Sequence, residues 1–151
     1  MKTLGVIPAR GRSKGIPKKN IKLLNGKPLI AYTIEAAIAS NLDRVVVTTD
    51  CREIAKISKI CGAEVVIRSD DLSKDTTPTL PVIQDVIKKL QFECEAVVTL
   101  QPTSPFRTYK HINETLDLFK KSKDADSLVS VVAVPHNFMP EKLMRVNGDY
   151  L

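Results

Sequence analysis

The chain has 151 residues, 43% of them hydrophobic and 26% charged, with a formal net charge of +6. That length suits one domain with a core of its own, and the balance excludes a disordered chain. No apolar run is long enough to cross a bilayer and no signal-peptide pattern opens the sequence, so a cytoplasmic protein without a membrane partner is expected. Aromatic residues make up 5% of the chain and Trp is absent, so the positive excess lacks the interleaved rings of a nucleic-acid binder. An anionic small molecule is the better partner. The three cysteines, Cys51, Cys61 and Cys94, have no C-x-x-C spacing and no neighbouring His. They read as buried free thiols rather than as a zinc site or a disulfide framework.

Leu4 to Ile7 is a short apolar run that predicts a buried strand at the start of the chain. It breaks at Pro8 into a loop that runs to Asn20 and carries Arg10, Gly11, Arg12, Ser13, Lys14, Gly15, Lys18 and Lys19. Ligands of open α/β sheets sit outside the carboxyl ends of the strands. Glycines let backbone N–H groups turn inward, and Arg and Lys supply donors that match phosphate oxygens. The expectation is a loop that wraps the polyphosphate of a nucleoside triphosphate. A basic, solvated surface loop is the competing reading, and position directly after the first strand favours the ligand. Neither G-x-x-x-x-G-K-[ST] nor G-x-G-x-x-G occurs here, so a P-loop enzyme and a dinucleotide-binding turn are both disfavoured.

Ile21 to Leu24 and Asn25-Gly26 predict a short extended piece and a turn. Pro28 fits the first position of a helix over 29–40, with Leu29, Ile30, Ile34, Ala37 and Ile38 on one face. Arg44 to Thr48 is a β-branched second strand. Asp50 fits the N-cap of a helix over 52–61, whose Ile54, Ile57 and Ile60 recur at helical spacing, and Gly62 fits its C-terminal stop. Glu64 to Ile67 reads as a third strand, followed by a loop over 68–79 with Asp70, Asp71 and a Thr-Thr-Pro-Thr segment. Pro81 lies in the first turn of a helix to about Leu90. A fourth strand, Ala96 to Leu100, ends in Gln101-Pro102-Thr103-Ser104-Pro105. A helix over 109–121 and a fifth strand over 127–134 follow, and a hairpin is expected at 143–151 with Asn147-Gly148-Asp149 as its turn. Strands alternating with helices predict a mostly parallel α/β sheet with helices on both faces and right-handed crossovers.

Three loops, 8–20, 68–79 and 101–107, then fall at carboxyl ends of strands and converge on one crevice. Arg10, Lys19, Asn20, Arg68, Thr77, Thr79 and Gln101 combine cations, hydroxyls and amides, as a nucleotide site does. Thr77 and Thr79 beside Pro78 fit a helix cap equally well. A lone His111 at a helix start reads as a surface residue, and His136 is a candidate contact for a second substrate.

The ARGRSKGIPKKN loop resembles the N-terminal signature of the cytidylyltransferases that activate nine-carbon keto sugar acids, the CMP-sialic acid synthetases and their relatives. RSDDLSKDTTPT and LQPTSPFR agree with that family in order and spacing. The resemblance implies a nucleotide-diphospho-sugar transferase-like fold and a single nucleotidyltransferase domain over 1–151 that is incomplete relative to the family. It implies CTP and a keto sugar acid as substrates, Mg²⁺ or another divalent cation as cofactor, and a homodimer. It puts Arg10 and Lys19 on the triphosphate as the catalytic cations. Asn20, Arg68, Thr77, Thr79 and Gln101 fall on the nucleotide, with Arg12 and Ser13 completing the substrate contacts. Family aspartates that hold the metal lie beyond Leu151, so no metal ligand is assigned within the chain. Two alternatives stay open: another sugar nucleotidyltransferase, or a catalytically inactive nucleotide-binding module.

Overall fold

The computed structural model describes residues 1–131 and 133. Four parallel strands form the central sheet: β1 (Thr3–Pro8), β4 (Arg44–Thr49), β5 (Glu64–Ile67) and β6 (Ala96–Thr99), in the order β5-β4-β1-β6. Between β1 and β4 lie a two-stranded ribbon, β2 (Leu23–Leu24) and β3 (Lys27–Pro28), and helix α1 (Leu29–Ile38). Helix α2 (Arg52–Ile60) joins β4 to β5, α3 (Thr79–Leu90) joins β5 to β6, and α4 (Tyr109–Lys121) follows β6. The register places Val6 beside Val46 on one side and Thr99 on the other.

The period of two along β1 builds two cores, one on each face of the sheet. Ile7 and Val47 pack with Ile30 and Ile34 of α1, Ile54 of α2, and Ile112 and Leu116 of α4. Leu4, Val6, Val46 and Val66 face the other way and meet Val86 of α3. Connectivity explains this division. From β1 the chain steps outward through β4 to β5, then returns past β1 to β6. Right-handed crossovers in opposite directions put their helices on opposite faces, so α3 covers the face that α1 and α2 leave open.

Side chains clip the sheet at its amino end. Thr3 donates both its N–H and its hydroxyl to Asp43 Oδ2, each at 2.7 Å. Arg44 holds Glu64 with Nε on Oε1 at 2.9 Å and lies over the Phe92 ring at 4.8 Å.

Most predicted elements form close to where the sequence puts them, with two exceptions among the described residues. Pro28 does not open α1; it ends the ribbon in extended conformation as the N-cap residue, because the β2–β3 turn has already committed its backbone to pairing with Leu23. Asn25 and Gly26, at φ of 49° and 78°, make that turn. The fifth strand expected over 127–134 is absent from 127–131, which are irregular. Val129 is 76% exposed and Val131 91%, and none of the described strands lies beside them, so β-branched composition alone does not make a strand here. The rest of that segment, His136 and the hairpin at 143–151 lie outside the described residues.

Candidate active site

Three backbone hydrogen bonds continue the sheet past its strands and root the loops above it. Ala9 N–H donates to the Thr48 carbonyl at 2.9 Å, Arg68 N–H to the Thr49 carbonyl at 3.0 Å, and Leu100 N–H to the Val6 carbonyl at 2.9 Å. The loops after β1, β5 and β6 therefore start side by side at the carboxyl edge. They enclose a polar cleft of about 280 Å³ lined by Pro8, Arg10, Ser13, Lys19, Asn20, Arg68, Leu72, Lys74, Asp75, Thr77, Thr79, Val82, Gln101, Pro102 and Thr103. Eight of the nine predicted site residues thus share one cavity. Arg12 does not; it is exposed and lines an adjoining hollow with Asp50, Asp70, Ser73, Lys74 and Asp75.

The cleft's electrostatics turn on which cations are already paired. Arg68 is 7% exposed, and its Nε donates to Ser73 Oγ at 3.1 Å. Among the described residues no carboxylate lies within salt-bridge distance of it. Burial pulls its pKa below the usual guanidinium value, with nearby Arg10 adding to the shift and Asp50 opposing it. A buried cation with one neutral partner is costly, and an anion or an acceptor-rich ligand relieves that cost. Lys19 is half-buried and likewise has no carboxylate partner among the described residues. Lys18 differs. Its backbone is left-handed at φ 52°, and its ammonium turns out of the cleft to Glu53 Oε2 at 2.7 Å.

The amides and hydroxyls divide between structure and surface. Asn20 is buried, and its Nδ2 donates to the Arg10 carbonyl at 3.0 Å, which braces the first loop. Thr77 Oγ1 donates to the Asp71 carbonyl at 2.9 Å and so fixes its own turn. Thr79 is the first residue of α3, and Pro78, not a threonine, holds the N-cap position. Gln101 is exposed in the cleft wall, and Arg107 Nη1 donates to its backbone carbonyl at 3.2 Å. His111 is exposed as expected and also accepts from Thr108 N–H through Nδ1 at 3.1 Å, capping α4.

Two sequence expectations are corrected here. Asp50 is not the N-cap of α2; Cys51 holds that position, and Asp50 Oδ1 instead accepts from Gly11 N–H at 2.8 Å. That bond also corrects the reading of the glycines, because Gly11's N–H points at a carboxylate and not into the cleft. Glycine is needed at 11 for a different reason: a Cβ there would come within 2.7 Å of Cys51 Cβ. At Gly15 a Cβ meets nothing within 4 Å.

Asp75 is the residue that sequence reasoning misses. Its carboxylate pairs with Arg10, and with Lys14 Nζ at 2.8 Å, so it joins the loop after β5 to the loop after β1. Lys14 first, then Arg10, hold its carboxyl below the usual aspartate range. The only hint in the sequence is an acid set among hydroxyls in Lys74-Asp75-Thr76-Thr77.

A cytidylyltransferase family model matches residues 4–149. The chain belongs to the cytidylyltransferases. It is 36% identical over 150 residues to the N-acylneuraminate cytidylyltransferase of Escherichia coli O18:K1:H7, covering 99% of this chain and 35% of that relative. It is 43% identical over 136 residues to the CMP-N,N'-diacetyllegionaminic acid synthase of Legionella pneumophila, covering 87% and 58%. The chain therefore spans about a third to somewhat over half the length of these relatives. Among solved structures, a CMP:2-keto-3-deoxy-manno-octonic acid synthetase complexed with CTP superposes with a TM-score of 0.72 at 22% identity, covering 82% of this chain and 49% of that one. At that identity the likeness speaks for the cytidylyltransferase fold alone.

Proposed function

We propose that the protein transfers CMP from CTP to a keto sugar acid of the sialic or legionaminic type and releases pyrophosphate. The observation that carries this reading is a pair of cations without a carboxylate partner among the described residues, buried Arg68 and half-buried Lys19, in one cleft of a cytidylyltransferase chain. In this reading the anomeric hydroxyl of the sugar acid attacks the α-phosphorus as the bond to pyrophosphate breaks. Charge builds on the phosphate oxygens and the leaving group. Lys19 and Arg10, carried on the loop that lines the cleft, stabilise that charge, Arg10 after exchanging Asp75 for phosphate, and electrostatic stabilisation of developing charge commonly supplies most of an enzyme's rate enhancement. Ser13 and Arg12 contact the phosphates from the same loop. Arg68, Asn20, Thr77, Thr79 and Gln101 hold the nucleoside, with Arg68 at the acceptor edge of cytosine. No side-chain nucleophile is required.

A divalent cation, Mg²⁺ in the first instance, accompanies the triphosphate in this proposal. The described residues do not furnish a site for it: they contain no group of three or more His, Cys, Asp or Glu side chains placed to hold a metal. Asp75, the acid that lines the cleft, is engaged by Arg10 and Lys14, and Asp50 of the adjoining hollow by Gly11. No helix among the described residues is long and apolar enough to cross a membrane. We place the enzyme in the cytoplasm with its nucleotide substrate, as a homodimer.

The test is pyrophosphate release by the full-length protein given CTP and, in turn, N-acetylneuraminic and diacetyllegionaminic acids. Release with CTP and at least one acid, and little with UTP, is expected. No release with either acid, together with no calorimetric binding of CTP, rejects the proposal.

A further inference from the structure

Asp75 occupies a contradictory place for an anion site. It lines the cleft, yet its carboxylate sits on Arg10 and Lys14, cations that an incoming polyphosphate needs. The two partners come from the loop after β1, while Asp75 belongs to the loop after β5, so the pairs bridge the cleft from one wall to the other. The contact is not a buried structural ion pair. Asp75 and Arg10 are each about one-third exposed, at 33% and 34%, and Lys14 is 81% exposed. Pairs so accessible to water contribute little to folding and exchange partners readily. No other hydrogen bond anchors the Asp75 carboxylate among the described residues, so nothing but these cations holds it at the cleft.

We propose that Asp75 is an electrostatic latch, a carboxylate that stands in for phosphate on Arg10 and Lys14 and is displaced when the triphosphate binds. The inference rests on the nucleotide reading of the cleft and adds to it a residue that sets affinity. Before binding, the latch neutralises the loop cations and ties the two loops together. On binding, phosphate oxygens take Arg10 and Lys14, and Asp75 is released towards solvent. Removing its charge takes away a competitor for the cations and a like charge beside the phosphates. One unit charge at contact distance in water is worth about a tenfold change in affinity.

The test is titration calorimetry on the full-length protein without divalent cations, with CTP and inorganic tripolyphosphate as probes. Parent, Asp75→Asn and Lys19→Ala are compared. Asp75→Asn is expected to bind both probes about tenfold more tightly, while Lys19→Ala binds both more weakly. A gain on tripolyphosphate, which has no base or sugar, assigns the effect to the phosphate cations; a merely structural Asp75 would give a loss. If the parent binds CTP and Lys19→Ala weakens it, but Asp75→Asn binds equally or less well, the latch is overturned and the nucleotide reading stands. If the parent and Asp75→Asn bind neither probe, and CTP with Mg²⁺ is not bound either, the nucleotide reading fails and the latch fails with it. Should Asp75→Asn not fold, Asp75→Ser is read by the same outcomes.

Discussion

Lys19 and Arg68 are both cations of one cleft, but they are asked to do different work. Lys19 is half-buried, without a carboxylate partner among the described residues, and comes from the loop after β1. Charge that develops on phosphate oxygens is stabilised most by a donor already in position. In the proposed reaction, Lys19→Ala should therefore lower kcat of the full-length protein by about 10²–10³, the effect of losing one such donor. Steady-state pyrophosphate release measures it, and turnover within threefold of the parent removes Lys19 from catalysis. Arg68 is more buried, at 7%, and rooted by its own N–H to Thr49. Cytosine and uracil differ in the groups at positions 3 and 4, where an acceptor in one is a donor in the other. A hydrogen bond to a charged group is worth roughly 1.5–3 kcal/mol, so Arg68→Ala should shrink the CTP-over-UTP preference by about tenfold or more. Calorimetry with both nucleotides decides it, and an unchanged ratio excludes Arg68 from base selection.

At the scale of elements, the site depends on how the loop after β1 sits against the start of α2. Asp50 draws Gly11 N–H in at 2.8 Å, and Cys51 then lies too close for any side chain at position 11. Gly11→Ala must push the loop away from α2 and should cost roughly 1–3 kcal/mol, as overpacking does elsewhere. Chemical denaturation of Gly11→Ala and of Gly11→Ala/Cys51→Gly tests this: the double variant should recover most of the loss, since glycine is tolerated at an N-cap. Equal stability of the two variants would show that the contact does not set the loop. This contact also marks what the sequence made legible. The loops at 8–20, 68–79 and 101–107 were readable because strand–helix alternation fixes which strand ends carry loops. Arg10, Lys19 and Arg68 followed from residue type at those ends. The Asp50–Gly11 bond and the Asp75 pairs were not readable, because each joins two loops whose approach depends on the β1–β4–β5 register. Ile60 shows the same limit. Its spacing puts it on the apolar face of α2, yet as the last helical residue it is 76% exposed. The irregular 127–131 segment shows that strand composition needs a neighbour before it becomes a strand.

For the molecule as a whole, several carboxylates act together as ties whose strength depends on pH. Hydrogen bonds from Thr3 hold Asp43 below its usual pKa, and Arg44 does the same for Glu64. Lys74 lowers Asp71, Lys14 lowers Asp75, and the Lys2 backbone N–H lowers Glu95. A carboxyl with a lower pKa folded than unfolded adds stability that is complete above its unfolded value. That stability is lost as pH falls through the folded value. Unfolded values lie near 3.9 for Asp and 4.3 for Glu, so the loss should begin at about pH 5 and continue below pH 4. The formal charge of +6 works in the same direction, because each protonated carboxylate adds to a positive excess that repels itself in the folded state. Among these groups Asp43 is the one whose contacts join β1 to the chain just before β4, across the centre of the sheet. Thermal unfolding between pH 7 and pH 3 should therefore show a plateau and then a falling acid limb. Asp43→Asn should lower the plateau and make that limb shallower, since one of the titrating ties is gone. A variant with the parent's full drop in Tm between pH 5 and pH 3 would mean that Asp43 is not one of the groups that couple protonation to folding.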